Sequence, residues 1–317
     1  MNFDGFLGND ALKARLAQSF AAEKVSHCYA LCGPVGSGKH TLATILAAAM
    51  QCTANGQKPC RVCSACRKVF SSQHPDFILV DDAEHKNVSV DVIRQARRDV
   101  FTRPNEGKRK IYLIPRAQDL GPSSQNALLK ILEEPPEYAV FLLLTTNAEQ
   151  LLPTIRSRAV QLSLGAVDQA EGLAFLQNRC PGKTAEQCRA ALIASGGWLG
   201  QAEINLQGEA WLAQTVLFCE SYCAQNHIGM LKTLVPMEKL KRDALGPILQ
   251  QWRLVLSQAL GIKSGLPAPD ALAAKIAAKR TAAQLLCAAQ SIEQAMQALD
   301  ANASVGAVVG WLCTKLK

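Results

Sequence analysis

The chain has 317 residues, enough for two or three domains rather than one small core. Hydrophobic residues make up 49% and charged residues 19%, a globular balance that excludes a disordered chain. The net charge of +8 fits an acidic partner such as nucleic acid or nucleotide. No apolar run, FLLLTT and ILAAAM included, approaches the length that crosses a bilayer. The opening MNFDGFLGND lacks the basic-then-apolar layout of a secretory signal, so the expectation is a cytoplasmic protein without a membrane partner.

In chain order, Leu12, Leu16 and Phe20 fall on one face of a first helix capped by Asn9 or Asp10. The runs CYALC (28–32), FILVD (77–81), KIYLI (110–114), VFLLLT (140–145) and VQLSL (160–164) read as strands buried on both faces. Helical patterns lie between them: Lys39 to Met50, Val90 to Phe101 behind a Ser89 cap, and Ser123 to Leu132 before Pro135-Pro136. Such alternation predicts a parallel α/β sheet. The basic stretch 94–110 reads as a solvated helix face and loop, or as a surface that tracks phosphates.

Beyond about residue 165 the strands stop. A small helical unit follows, punctuated by Pro181-Gly182 and Gly196-Gly197, and from about residue 208 the chain reads as helical throughout. Leu285, Ala289, Ile292, Met296 and Leu299 form an apolar seam that requires a partner helix, and GIKSGLPAPD (261–270) reads as a loop.

GPVGSGK (33–39) stands between the strand CYALC and a helix, the context of a phosphate-binding loop. Gly33, Gly36 and Gly38 would let backbone N–H groups turn toward phosphate oxygens at a helix N-terminus, and Lys39 would reach the terminal phosphates of ATP. Position 40 calls for Ser or Thr to ligate magnesium but holds His40; Thr41 comes one residue late, about 100° around the helix. The acidic pair needed after KIYLI is replaced by Pro115 and Arg116. The expectation is therefore a vestigial loop (Gly33, Gly36, Gly38, Lys39, Thr41) in a degenerate ATPase without intrinsic hydrolysis.

Cys52, Cys60, Cys63 and Cys66 are spaced C-x7-C-x2-C-x2-C, which fits four thiolates around one structural Zn2+ with no open position. Lys58, Arg61 and Arg67 would favour the thiolates. The remaining eight cysteines read as small core residues, those at 180, 188, 219 and 223 included.

The Gly-rich loop, the four-cysteine insertion, HPD (74–76), NALLKILEEPP (126–136) and TIRSR (154–158) occur in an order that resembles bacterial clamp-loader subunits of the AAA+ class. The resemblance is dense over residues 1–165 and motif-poor thereafter. It implies an α/β RecA-like AAA+ domain with a parallel sheet and a zinc-binding insertion, then a small helical lid and an all-α collar that oligomerises. The corresponding bounds are 1–165 (zinc module 50–70), 166–207 and 208–317.

Gamma/tau members of the family carry GK-[ST] and an Asp-Glu pair, where this chain has GKH and Pro-Arg. The lid arginine of relatives is also replaced, the stretch here being Gly197-Trp198-Leu199-Gly200. The family's Ser-Arg-Cys motif matches Ser157-Arg158-Ala159, with Ala159 departing from Cys. In relatives that arginine reaches a neighbour's ATP as a finger, a role that suits a planar, always charged guanidinium. Lys130 and Glu133 would face a neighbouring subunit.

The resemblance implies a non-hydrolysing subunit of a DNA-directed DNA polymerase (nucleotidyltransferase) holoenzyme. Its partners would be gamma/tau and delta subunits, the sliding clamp and primed DNA. Two other readings are a working P-loop ATPase and a zinc-dependent nucleic-acid-binding module.

Overall fold

The computed structural model describes residues 1–82, 87–207, 209–240, 242–266, 271–301 and 303–316. The chain divides into two units, one comprising Met1–Leu176 with Gly196–Gln201 and the other Gln177–Ser195 with Ala202–Lys317.

The first unit opens with α1 (Asp10–Ala21), β1 (Cys28–Cys32), α2 (Lys39–Gln51), α3 (Ser64–Phe70), β2 (Phe77–Leu79) and α4 (Val90–Asp99). It continues with β3 (Lys110–Ile114), α5 (Pro122–Glu133), β4 (Ala139–Thr145), α6 (Pro153–Arg156), β5 (Val160–Ser163) and the start of α7 (Gln169–Arg179). All pairings of the sheet are parallel, in the order β2-β3-β4-β1-β5. The predicted parallel α/β sheet is present.

Strand pleating sends alternate residues to opposite cores. Tyr29 and Leu31 pack with Leu42, Ile45 and Leu46 of α2, whereas Cys28 and Ala30 pack with Leu128, Ile131 and Leu132 of α5. Every residue of β3 and β4 is buried, as continuous apolar strands of a covered parallel sheet should be. β2 and β5 differ from the expectation of burial on both faces: Leu79 is exposed and only Leu162 of β5 is buried. Both are edge strands with one neighbour, so one flank of each lacks cover.

Two predicted caps part ways. Ser89 Oγ accepts from the Val92 N–H, as expected. Asn9 makes no cap; its left-handed backbone turns the side chain to Gly165, donating to that carbonyl and accepting from that N–H at 2.6 Å. α4 also ends at Asp99, two residues short of Phe101.

Asp76 of the HPD motif is fully buried, and its carboxylate accepts from the N–H groups of Asn105, Glu106 and Gly107 and from Asn105 Nδ2. One carboxylate thus fixes the loop before β3. Beside it, buried Lys110 donates to Asp99 Oδ1 at 2.9 Å and Tyr112 donates to Asp99 Oδ2 at 2.8 Å.

The second unit includes α8 (Ala185–Ala194), most of α9 (Leu199–Gln207), α10 (Glu209–Cys223), α11 (His227–Leu234), α12 (Arg242–Lys263), α13 (Ala271–Lys279), α14 (Ala282–Asp300) and α15 (Val305–Lys315). The predicted seam lies on α14, and the helix it requires is α12 of the same chain. Leu285, Ile292 and Leu299 are buried in one cluster with Leu249, Trp252 and Leu256. Of the expected loop 261–270, Gly261–Lys263 close α12, and 267–270 lie outside the described residues. No helix of the described residues is long and apolar enough to cross a membrane.

Burial pushes the Asp76 carboxyl up, but the hydrogen bonds donated by Asn105, Gly107 and Glu106 outweigh it and hold the group below the usual carboxylate range. A depressed folded pKa stabilises above the unfolded value and loses that stability as pH falls through the folded value. Asp76→Asn should lower unfolding stability at pH 7 by about 2–3 kcal/mol in urea melts. The difference from the parent should shrink below about pH 4.

Candidate functional site

The Gly-rich loop crosses from β1 to α2 with Gly36 and Gly38 at φ 78° and 85°, a region that β-carbons disfavour. A Cβ on Gly38 would press on the Phe6 ring at 3.3 Å. Gly33 N–H donates to Thr145 O, which ties the loop to the end of β4.

Its contents differ from those of a loop that reaches outward. The Lys39 side chain is buried and donates to its own loop, to Gly33 O at 2.5 Å and Pro34 O at 2.7 Å, with Ser37 Oγ at 3.4 Å. Burial lowers the Lys39 pKa, partly offset by the Cys32 side chain. In this structure the Lys39 ammonium is satisfied by loop carbonyls. The crest is also covered within the same unit. Gly200 N–H donates to Gly36 O at 3.0 Å, and a Cβ on Gly200 would sit 2.8 Å from Gly36 Cα. His40 and Thr41 are exposed on α2, and Thr44 Oγ1 donates to His40 O.

Where an acidic pair would follow β3, the Arg116 guanidinium donates to Asp81 Oδ1 from Nε at 3.0 Å and from Nη2 at 2.7 Å, and to Asp82 O at 2.5 Å. The pair closes the carboxyl ends of β2 and β3 against each other. Asp81 reads in the sequence only as the end of a strand, so nothing local announced this partner.

Arg158 follows the short helix α6, whose N-terminal Pro153 suits a first helical position. Its Nη1 donates to Thr154 O at 3.1 Å and its Nη2 lies 3.4 Å from Glu133 Oε1. The TIRSR and LLKILEEPP motifs, separate in sequence, therefore meet through one ion pair. Ser157 is exposed, with Oγ donating to Thr154 O at 3.0 Å. Ala159 packs half-buried against the core beneath α5, where a small side chain suffices.

Cys52, Cys60, Cys63 and Cys66 come together, with all four Sγ atoms within 4.8 Å of one another and Cys60 Sγ 4.0 Å from Cys66 Sγ. Zn–S bonds of about 2.3 Å in a tetrahedron set sulfurs about 3.8 Å apart, so the cluster fits one ion. Backbone N–H groups of Cys63 and Cys66 point at Cys60 Sγ and Cys63 Sγ, at 3.3 and 3.4 Å. Cys60 is lowered chiefly by the Cys63 N–H. Burial raises Cys63, yet the Cys66 and Thr53 N–H groups bring it down to about 6. Burial pushes Cys66 up to about 12. Backbone amides thus favour the thiolates of Cys60 and Cys63, whereas burial opposes that of Cys66. Arg61 is engaged elsewhere, stacked 4.5 Å over Phe70 and donating to Asp4 O. The module is sewn to the N-terminal segment by Asn2 N–H on Lys58 O at 2.7 Å and Gln57 Nε2 on Met1 O at 3.1 Å.

Residues 8–168 match the family described as DNA polymerase III, delta subunit. DNA polymerase III subunit delta' of Pseudomonas aeruginosa is 36% identical over 178 residues, 54% of this chain and 53% of that protein. Subunit gamma of Buchnera aphidicola is 32% identical over 178 residues, 56% of this chain and 48% of that protein. The chain thus spans about half the length of these curated relatives. A gamma subunit-related protein of Thermotoga maritima, a solved structure, aligns over 95% of this chain and 99% of its own at 17% identity, with a TM-score of 0.42.

The purified chain should carry about one zinc by elemental analysis, because the cluster closes a single tetrahedron. Cys63→Ser should abolish that content and lower the thermal midpoint by several degrees. A metal-free parent with an unchanged midpoint after zinc addition would count against the site.

Proposed function

The chain belongs to the DNA polymerase III delta subunit family, and on that premise we propose that it is the delta-prime, non-hydrolysing subunit of a clamp loader. The observation that carries this reading is Arg116 locked to Asp81 where gamma/tau relatives have an Asp-Glu pair. A guanidinium has no lone pair to ligate magnesium or to accept a proton from water, so the loop beside it lacks the carboxylates used in phosphoryl transfer. Lys39 turned onto Gly33 and Pro34, and Gly200 laid on Gly36, support the same reading of Gly33, Gly36, Gly38, Lys39 and Thr41 as a vestigial loop.

In this role Arg158, beside Ser157, serves a gamma/tau neighbour's ATP in trans. The subunit also contacts delta and acts as a stator while the sliding clamp is placed on primed DNA in the cytoplasm. Zinc on Cys52, Cys60, Cys63 and Cys66 is structural, having no open position for substrate. The division into residues 1–165, 166–207 and 208–317, as catalytic-type domain, lid and collar, belongs to the same proposal.

Arg158→Ala in a reconstituted loader should cut turnover at the one ATP site it faces on the order of 10³-fold, lowering DNA- and clamp-stimulated hydrolysis by that site's share. Unchanged stimulated hydrolysis would sink the finger. The pure chain should release phosphate from Mg-ATP at the background rate; magnesium-dependent turnover would instead favour a working ATPase.

A further inference from the structure

The ion pair between Glu133 and Arg158 joins two motifs, yet only its arginine has a task in the proposed function. Glu133 is the last residue of α5 and is followed by Glu134 and Pro135-Pro136. A carboxylate in that last turn sits at the negative end of the helix dipole, a place that favours cations. Glu133 is therefore unfavourable for its own helix, and what compensates it lies outside α5.

The compensating group is Arg158, whose Nη2 is 3.4 Å from Glu133 Oε1 while its Nη1 donates to Thr154 O at 3.1 Å. Two acceptors on different elements, the end of α5 and the short helix α6, thus fix the plane of one guanidinium. Thr154 O also accepts from Ser157 Oγ at 3.0 Å, which braces the turn that carries the arginine. The Arg158 and Glu133 side chains are 37% and 47% exposed, so a neighbouring molecule can reach both. One N–H on each terminal nitrogen is taken, and among the described residues the other donors of the fork meet no protein acceptor.

We propose that Glu133 is the positioning residue of Arg158, holding one edge of the guanidinium with the Thr154 carbonyl so that the open edge meets the phosphate of an adjoining subunit's ATP. The inference rests on the finger reading of Arg158 and adds the group that orients the finger. A free arginine samples many rotamers, and an arginine already held in place has less freedom to lose in the transition state. The opposite arrangement, a carboxylate that parks the arginine until phosphate displaces it, gives the reverse sign when Glu133 is removed.

The test compares Glu133→Ala, Glu133→Gln, Arg158→Ala and the double alanine variant in the reconstituted loader with DNA and clamp. Arg158→Ala defines the share of turnover that belongs to the site it faces. Glu133→Ala should lower that share roughly tenfold through kcat, with the KM for ATP unchanged. Glu133→Gln, isosteric and still an acceptor, should recover about half of the lost turnover. Adding Glu133→Ala to Arg158→Ala should cost nothing further, because the two residues act through one group. The thermal midpoint of the Glu133→Ala chain should equal or exceed the parent's, since a charge at the wrong end of α5 is gone. A midpoint lowered by several degrees would mark a merely structural residue and overturn the proposal. Parent-like or faster turnover by Glu133→Ala, where Arg158→Ala is slow, would overturn it too and leave the finger standing. No effect from Arg158→Ala would remove the finger itself, and its positioning residue with it.

Discussion

A buried ammonium must be met by oxygen, and in this chain Lys39 meets that need from its own loop. The carbonyls of Gly33 and Pro34 take the charge at the end of β1, where a parallel sheet gathers the groups that would serve a ligand. Much else at this edge follows from that satisfaction. With the lysine folded inward the crest is free to accept a backbone contact, and Gly200 supplies it. Arg116 and Asp81 complete the pattern by neutralising each other at the ends of β2 and β3. Both cations at this edge are thus met by oxygens of the chain itself.

The same economy of single polar anchors holds the rest of the first unit. Asp76 organises the loop before β3, and Asn9 ties α1 to the segment after β5. The four-cysteine module holds residues 1–4, and Phe6, two residues on, packs over Gly38 of the phosphate loop. A short path of hydrogen bonds and one packing contact therefore runs from the cluster to the loop. The second unit has a buried polar anchor in Arg280, whose Nε donates to Tyr222 O at 2.8 Å, while Trp252, stacked 4.2 Å from Phe218, sits in an apolar core of helices.

Periodicity made the central strands legible, because β1, β3 and β4 are covered on both faces and read as unbroken apolar runs. The edges were less so: FILV of β2 reads as an apolar run like the central strands, whereas Gln161 and Ser163 of β5 alternate with apolar residues, a period-2 sign of partial cover that the reading of VQLSL as buried on both faces passed over. Likewise the apolar seam from Leu285 to Leu299 marks a buried helix face, but its spacing is the same whether the partner helix lies in this chain or another. The structure places α12 there. The Cys-x-x-Cys spacing was legible because chelation requires closeness in sequence as well as in space.

The sequence by itself determined the strand–loop–helix order around Lys39, the four-cysteine knuckle and the absence of a Ser or Thr at position 40 and of acids after β3. These are local facts, set by residue type and short spacing. Only the tertiary structure decided where the charges went: Lys39 onto its loop, Arg116 onto Asp81 35 residues away, and Arg158 beside Glu133. Ion pairs between distant segments depend on which chain ends the sheet brings together, and no local pattern encodes that register.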